Sequence, residues 1–195
     1  DLAGAVKDAD VVVLGTPIGQ MRPLMEEMAP ALTPGTVVTD VGSVKQTVVH
    51  DLEPMAASTG AWFIGSHPMA GSERSGPLAA SAALFDGRPW AITPHSTSQS
   101  EVVELVTTLA RACGAVPVPM TPDDHDLAVA RTSHLPHLMA TLVAAQLADA
   151  DPSHLALSGQ GVRDVTRIAA GEPALWQQIV AANAPWIDFD ATRQS

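Results

Sequence analysis

The chain has no tyrosine, a single cysteine and only 4% aromatic residues among its 195. Cys113 alone cannot close an internal disulfide, so stability must come from apolar burial, and a reducing, cytoplasmic setting fits. Positive charge is scarce: 10 Lys and Arg stand against 21 Asp and Glu, a formal charge of -11. That balance argues against nucleic acid as a partner, because phosphate backbones call for clustered Lys and Arg. It also argues against an anionic membrane surface. No apolar run reaches the roughly 18 residues of a membrane span. No charged segment followed by an apolar stretch marks a signal peptide. With 46% hydrophobic and 16% charged residues, the composition suits a packed core rather than disorder.

A further absence bears on ligands. The glycine-rich turn G-x-G-x-x-G, which lets a backbone approach a pyrophosphate, follows no strand candidate. Gly159-Gln160-Gly161 lies between two helical stretches and lacks the third glycine. Either the chain does not bind a dinucleotide, or its first βαβ unit lies before Asp1. The chain opens without Met in helix-like sequence, so it is read as a possible fragment.

What is present alternates regularly. Leu2, Ala3 and Val6 have helical spacing, so residues 1–8 read as the end of a helix. Val11-Val12-Val13-Leu14 is too short for a helix and rich in β-branched residues. It predicts a strand buried on both faces, ending at Gly15-Thr16-Pro17. Residues 18–32 place Met21, Leu24, Met25, Met28 and Leu32 at helical spacing. Pro34-Gly35 makes a turn before a second strand over 36–40. Ser43 is placed to cap a helix through Val44, Val48, Leu52 and Met55. Trp62-Phe63-Ile64-Gly65 predicts a third strand, and residues 89–93 and 115–118 two more, with a helix over 98–112 between them. Such alternation predicts right-handed crossovers and a mostly parallel sheet with helices on both faces. From Pro122 onward the pattern is all helical: one long helix over 123–150 with Pro136 inside it, then stretches over 153–170 and 173–186. A boundary near Thr121 divides an α/β domain, residues 1–121, from an all-α domain, residues 122–195.

In open α/β sheets ligands bind beyond the carboxyl ends of the strands. Gly15-Thr16-Pro17, Asp40-Val41-Gly42-Ser43 and Gly65-Ser66-His67-Pro68 should lie side by side on one such rim. His67 there is either a general base, since a neutral imidazole accepts a hydroxyl proton, or a turn-capping residue. Backbone amides opening the helix after Ser43 favour an anion or ligand oxygen, and Ser43 is an N-cap or a ligand donor.

In the all-α part, His134 and His137 lie about 60° apart around the helix axis and face one side. Pro136 should kink the helix beside them. They are a ligand site, core histidines or a metal pair. Metal is disfavoured, because His125 sits roughly half a turn from His134, no Cys is near and H-E-x-x-H is absent. Arg163-Asp164-Val165-Thr166-Arg167 suits carboxylate recognition, or else an Asp164–arginine salt bridge on a solvated face. The missing G-x-S-x-G elbow disfavours a hydrolase built on Ser43 and His67.

Taken together, five segments resemble the prephenate/arogenate dehydrogenase family of tyrosine biosynthesis. They are Val11-Val12-Val13-Leu14-Gly15-Thr16-Pro17; Asp40-Val41-Gly42-Ser43-Val44-Lys45; Gly65-Ser66-His67-Pro68-Met69-Ala70-Gly71-Ser72-Glu73 with Ser75-Gly76; His125-Asp126 with Ser133-His134-Leu135-Pro136-His137; and Arg163-Asp164-Val165-Thr166-Arg167-Ile168-Ala169 with Trp176. The resemblance implies a Rossmann-like parallel sheet, partial because its N-terminal unit is missing, followed by a helical domain that dimerises. It implies NAD or NADP as cofactor, and prephenate or arogenate as the small-molecule substrate, oxidatively decarboxylated by hydride transfer from C4. By position His67 matches the base that accepts the C4 hydroxyl proton, and Ser43 the serine that orients that hydroxyl and the nicotinamide. His137 and Arg167 match residues that bind substrate carboxylates, with His134 supporting that pocket and Ser72 also on the substrate side. Gly15, Thr16, Pro17, Gly42 and Ser43 would touch the cofactor. Because the glycine-rich turn is absent, this chain alone is expected to bind NAD+ or NADP+ weakly or not at all. Two alternatives stay open: another Rossmann-type hydroxyacid dehydrogenase, and a non-catalytic ligand-binding module without the cofactor lobe.

Overall fold

The computed structural model describes residues 1–71 and 80–187. They form two compact units, the first made of Asp1–Gly71 and Ala80–Asp126, the second beginning at Leu127.

The first unit is built on five strands: β1 (Val11–Leu14), β2 (Val37–Asp40), β3 (Trp62–Pro68), β4 (Pro89–Thr93) and β5 (Val116–Pro119), in that spatial order. β1, β2 and β3 are parallel neighbours, β4 runs antiparallel to β3, and β5 is parallel to β4. The mostly parallel sheet expected from the alternation is present, with one reversal at β4. The reversal explains why β3 is longer than its apolar run. Trp62, Phe63 and Ile64 pair with β2, and the strand then continues through Gly65, Ser66, His67 and Pro68 because β4 takes over as partner. His67 therefore lies within β3, not after it.

β1 does not meet its expectation. It lies at the edge of the sheet and Val13 is 46% exposed. All four residues of β2 are buried, so the strand covered on both faces is the second.

Helices α1 (Leu2–Val6), α2 (Ile18–Met28), α3 (Gln46–Ser58) and α4 (Ser100–Ala112) complete this unit with the first part of α5 (Pro122–Val129). α2 turns Met21, Met25 and Met28 inward, the spacing read from the sequence. On one face of the sheet Val102, Val106 and Ala110 of α4 pack with Val37, Ile64, Trp90 and Ile92. On the other face α3 approaches β3 at Gly65, where an added Cβ would lie 2.7 Å from Val49 and 2.6 Å from the Thr93 hydroxyl. Side chains alternate along a strand, so His67 shares the α3 face with Gly65.

The second unit is helical. α5 passes into a π-helical turn, Ala130–His134, and then into α6 (Leu135–Ala148). The long helix is thus continuous, and its irregularity is a π turn over Ala130–His134, just before Pro136. The stretch expected over 153–170 divides into α7 (Pro152–Leu155), α8 (Gln160–Thr166) and a 3-10 turn, Arg167–Ala170. Asp151 and Glu172 cap α7 and α9 (Pro173–Ala182) with side-chain oxygens. Among the described residues no strand follows Pro119, and no helix is long and apolar enough to cross a membrane.

Candidate active site

The rim formed by the carboxyl ends of β1, β2 and β3 is held by a buried ionic network. Asp40, the last residue of β2, accepts hydrogen bonds from the Ser66 amide at 3.0 Å and the Gly42 amide at 2.8 Å. It also pairs with the Lys45 ammonium, which donates to the Ser66 carbonyl at 2.8 Å. Both charged side chains are fully buried. Burial pulls the Lys45 pKa below its ordinary value, against the opposing influence of Asp40 and, more weakly, Asp126. The Ser66 hydroxyl donates to the Asp40 carbonyl and accepts from Thr39 and from the Trp90 indole, so β2, β3 and β4 are tied together. A buried pair of this kind is justified by its remaining hydrogen bonds, since desolvation alone would outweigh the charge attraction.

Ser43 lies three residues beyond β2 in the loop so fixed. It does not cap α3. The N-cap position is Lys45, without a side-chain cap, and the cap comes from 80 residues away. Asp126 accepts the Lys45 amide at 2.7 Å and the Gln46 amide at 2.9 Å. The anion expected at this helix start is therefore supplied by the protein itself. The preference of Ser for N-caps favoured the wrong residue, because a carboxylate satisfies two orphan amides at once.

The same carboxylate reaches His67 through one intermediary. Asp126 Oδ1 lies 2.7 Å from His125 Nδ1, and His125 Nε2 lies 2.9 Å from His67 Nδ1. The two rings meet edge to face, with centroids 5.1 Å apart. His125 and Asp126 are buried, while His67 is half-buried. In the sequence His125 is weighed as a metal ligand and, with Asp126, counted among the segments that carry the family resemblance, but it is given no role beside His67. The available signal was the adjacent His-Asp pair at the start of the first helix after the last strand. Among the described residues no group of three or more His, Cys, Asp or Glu could hold a metal ion.

At the β1 end, the Thr16 hydroxyl oxygen is buried without a hydrogen-bond partner, and a Cβ at Gly15 would meet nothing within 4 Å. An orphaned hydroxyl beside open space fits a polar ligand there. Pro17 is exposed at the start of α2. Gly42 differs: its amide is committed to Asp40, and a Cβ would meet Met21 at 3.0 Å. Its smallness serves packing.

In the second unit, His134 and His137 do face one side, since both rings contact Trp176. The His137 ring stacks on the indole at 3.4 Å with 6° between planes, and the His134 ring meets it edge-on at 6.0 Å. His134 Nδ1 accepts from the Asn183 side-chain amide at 2.8 Å. His134 and Asn183 are buried. Burial lowers the His137 pKa below 6.5, with the Ile168 backbone acting in the opposite direction. Gly171 backs the stack so closely that a Cβ would lie 2.4 Å from the indole nitrogen. Arg167 opens the 3-10 turn after α8 and is exposed. Asp164 accepts from Gln160 at 2.7 Å. Ser72 lies outside the described residues.

Comparison with known proteins follows this geometry. Residues 1–118 match the family model of the prephenate dehydrogenase nucleotide-binding domain, and residues 121–191 that of the prephenate dehydrogenase dimerization domain. Cyclohexadienyl dehydrogenase of Zymomonas mobilis is 34% identical over 189 residues, covering 95% of this chain and 64% of that protein. Prephenate dehydrogenase of Bacillus subtilis is 35% identical over 182 residues, covering 91% and 49%. The crystal structure of Aquifex aeolicus prephenate dehydrogenase with hydroxyphenyl propionate and NAD+ superposes with a TM-score of 0.86 at 31% identity, covering 96% of this chain and 66% of that one. The chain thus spans about half to two-thirds of the length of these relatives.

Proposed function

The chain belongs to the prephenate dehydrogenase family, and we propose that it carries the reacting part of an NAD- or NADP-dependent enzyme that oxidatively decarboxylates prephenate or arogenate. The observation that carries the reading is His67, a half-buried imidazole near the end of β3, hydrogen-bonded to His125 next to the loop that bears Ser43. In this reading His67 removes the proton of the ring hydroxyl, which raises electron density at C4 and favours departure of the hydride there. Ser43 orients the hydroxyl. Loss of the ring carboxylate as CO2 makes the ring aromatic, so the protein needs chiefly to position the reactants. NAD or NADP, when bound, supplies the hydride acceptor. Gly15, Thr16 and Pro17 would hold it, with the unpaired Thr16 hydroxyl as donor, and the loop of Gly42 and Ser43 would border it.

His137 and Arg167 of the helical unit are the proposed carboxylate-binding groups, an arginine being suited to two-point recognition of a carboxylate. His134 is a support, held by Asn183 and Trp176. Ser72 is proposed on the substrate side. We divide these roles near Thr121, with the cofactor part before it and the substrate and dimerisation part after it. A homodimer through the helical unit is supported by its exposed Met139, Leu142 and Leu157, the last 85% exposed. A cytoplasmic location accords with the lone cysteine.

The full-length protein should reduce NAD+ or NADP+ and release CO2 with prephenate or arogenate. Turnover of simple hydroxyacids but neither cyclohexadienol would overturn the proposal.

A further inference from the structure

We infer that His125 and Asp126 are positioning residues that hold His67 as its Nδ1-protonated tautomer, leaving Nε2 as the atom that takes the substrate proton. The inference rests on His67 being the base, and it adds which nitrogen acts and what selects it.

The argument follows hydrogens from an acceptor-only group. An ionised carboxylate has no hydrogen to give. Asp126 Oδ1 accepts the Lys45 amide and faces His125 Nδ1 at 2.7 Å, while Oδ2 accepts the Gln46 amide. A contact that short between carboxylate and ring nitrogen places a hydrogen on His125 Nδ1. In a neutral imidazole the other nitrogen is then an acceptor. The atom facing it at 2.9 Å is His67 Nδ1, which must donate. The neutral His67 ring is left with its lone pair on Nε2.

The anchor of this chain is backbone. Two amides at the N-terminus of α3 fix the carboxylate, and α3 is itself packed on β3 at Gly65. His125 is buried, so water does not compete for its ring nitrogens. When His67 takes the proton, the hydroxyl O–H bond breaks and an Nε2–H bond forms. The oxygen's electron pair supports loss of hydride from C4, for which NAD or NADP would be the acceptor when bound. The imidazolium so formed is faced through His125 by the Asp126 carboxylate, which favours the charge. This is the orienting logic of a Ser-His-Asp triad with a second imidazole interposed.

Long-range proton–nitrogen NMR of the histidine rings reads the tautomers directly, His67 being identified by its loss in His67→Asn. Both His67 and His125 should carry hydrogen on Nδ1 in the unmodified protein. In His125→Phe, His67 should lose that preference, and kcat should fall roughly 10–100-fold with KM little changed, the loss typical when the partner orienting a functional imidazole is removed. His125→Gln, whose side-chain oxygen can accept from His67, should restore part of both. An Nε2-protonated His67 in the unmodified protein, or an unchanged tautomer and kcat in His125→Phe, overturns the inference. A correct tautomer together with full turnover in His67→Asn would overturn the base assignment instead. These readouts do not depend on Asp126 variants, which remove the cap of α3 and threaten folding.

Discussion

In the α/β unit two buried carboxylates are tied to the backbone: Asp40 holds two amides and Lys45, and Asp126 holds two amides and His125. In the helical unit the buried polar side chains are rings and an amide, with His134 and His137 against Trp176 and Asn183 closing the set. The first arrangement fixes geometry, because each carboxylate holds two main-chain amides and Lys45 donates to a main-chain carbonyl. The second rests on ring packing, within a unit that leaves Leu142 and Leu157 exposed. The difference suits the roles proposed above, with proton transfer at the rim and carboxylate binding in the helical unit.

The largest expected effect tests function on the ionic side. His67→Asn in the full-length enzyme should lower turnover by roughly 10²–10⁴-fold with the unfolding midpoint nearly unchanged, as measured by steady-state kinetics and thermal melts. Unchanged turnover would remove His67 from the role. Next in size, Lys45→Met strands the Asp40 carboxylate in the core and should destabilise the protein by about 3–5 kcal/mol in denaturant titrations. A loss below about 1 kcal/mol, the range of surface pairs, would mean that the buried network is not what holds the rim.

The helical side should respond more mildly. Gly171→Ala pushes a methyl group into Trp176 and should cost about 1–3 kcal/mol, with a change in tryptophan fluorescence as the His137 stack opens. The smallest effect is in pH. Burial lowers the folded pKa of His137 below 6.5, so on acidification the unfolded chain takes up that proton first. The contribution of His137 is complete above 6.5 and is lost as pH falls from there through the lowered folded value. The slope is at most about 1.4 kcal/mol per pH unit. Melts between about pH 7 and about pH 5 should flatten in His137→Phe relative to the parent; an equal slope in both would detach His137 from the acid response.

Legibility in the sequence followed range. β2, the start of β3 and the methionine stripe of α2 are written in local patterns of branched and apolar residues, and they appear where those patterns place them. The second half of β3 was hidden because its strand character comes from β4, more than twenty residues on. The burial of β1 was overestimated because an apolar run does not reveal its place in the sheet order. Ser43 looked like a cap because local preference cannot see a carboxylate 80 residues away. His67 could be singled out from its neighbours, whereas its partner His125 could not, since that relation exists only once α5 has met the sheet rim. The π turn carries no obvious residue signature beyond the nearby Pro136.

Asp126 leaves little room for gradual change. One carboxyl group caps a helix and also holds the ring that meets the proposed base. A replacement there cannot trade a little stability for a little activity; it forfeits both together. Drift at this position is therefore closed to single steps, and an engineer wishing to retune the imidazole should first give α3 a different cap.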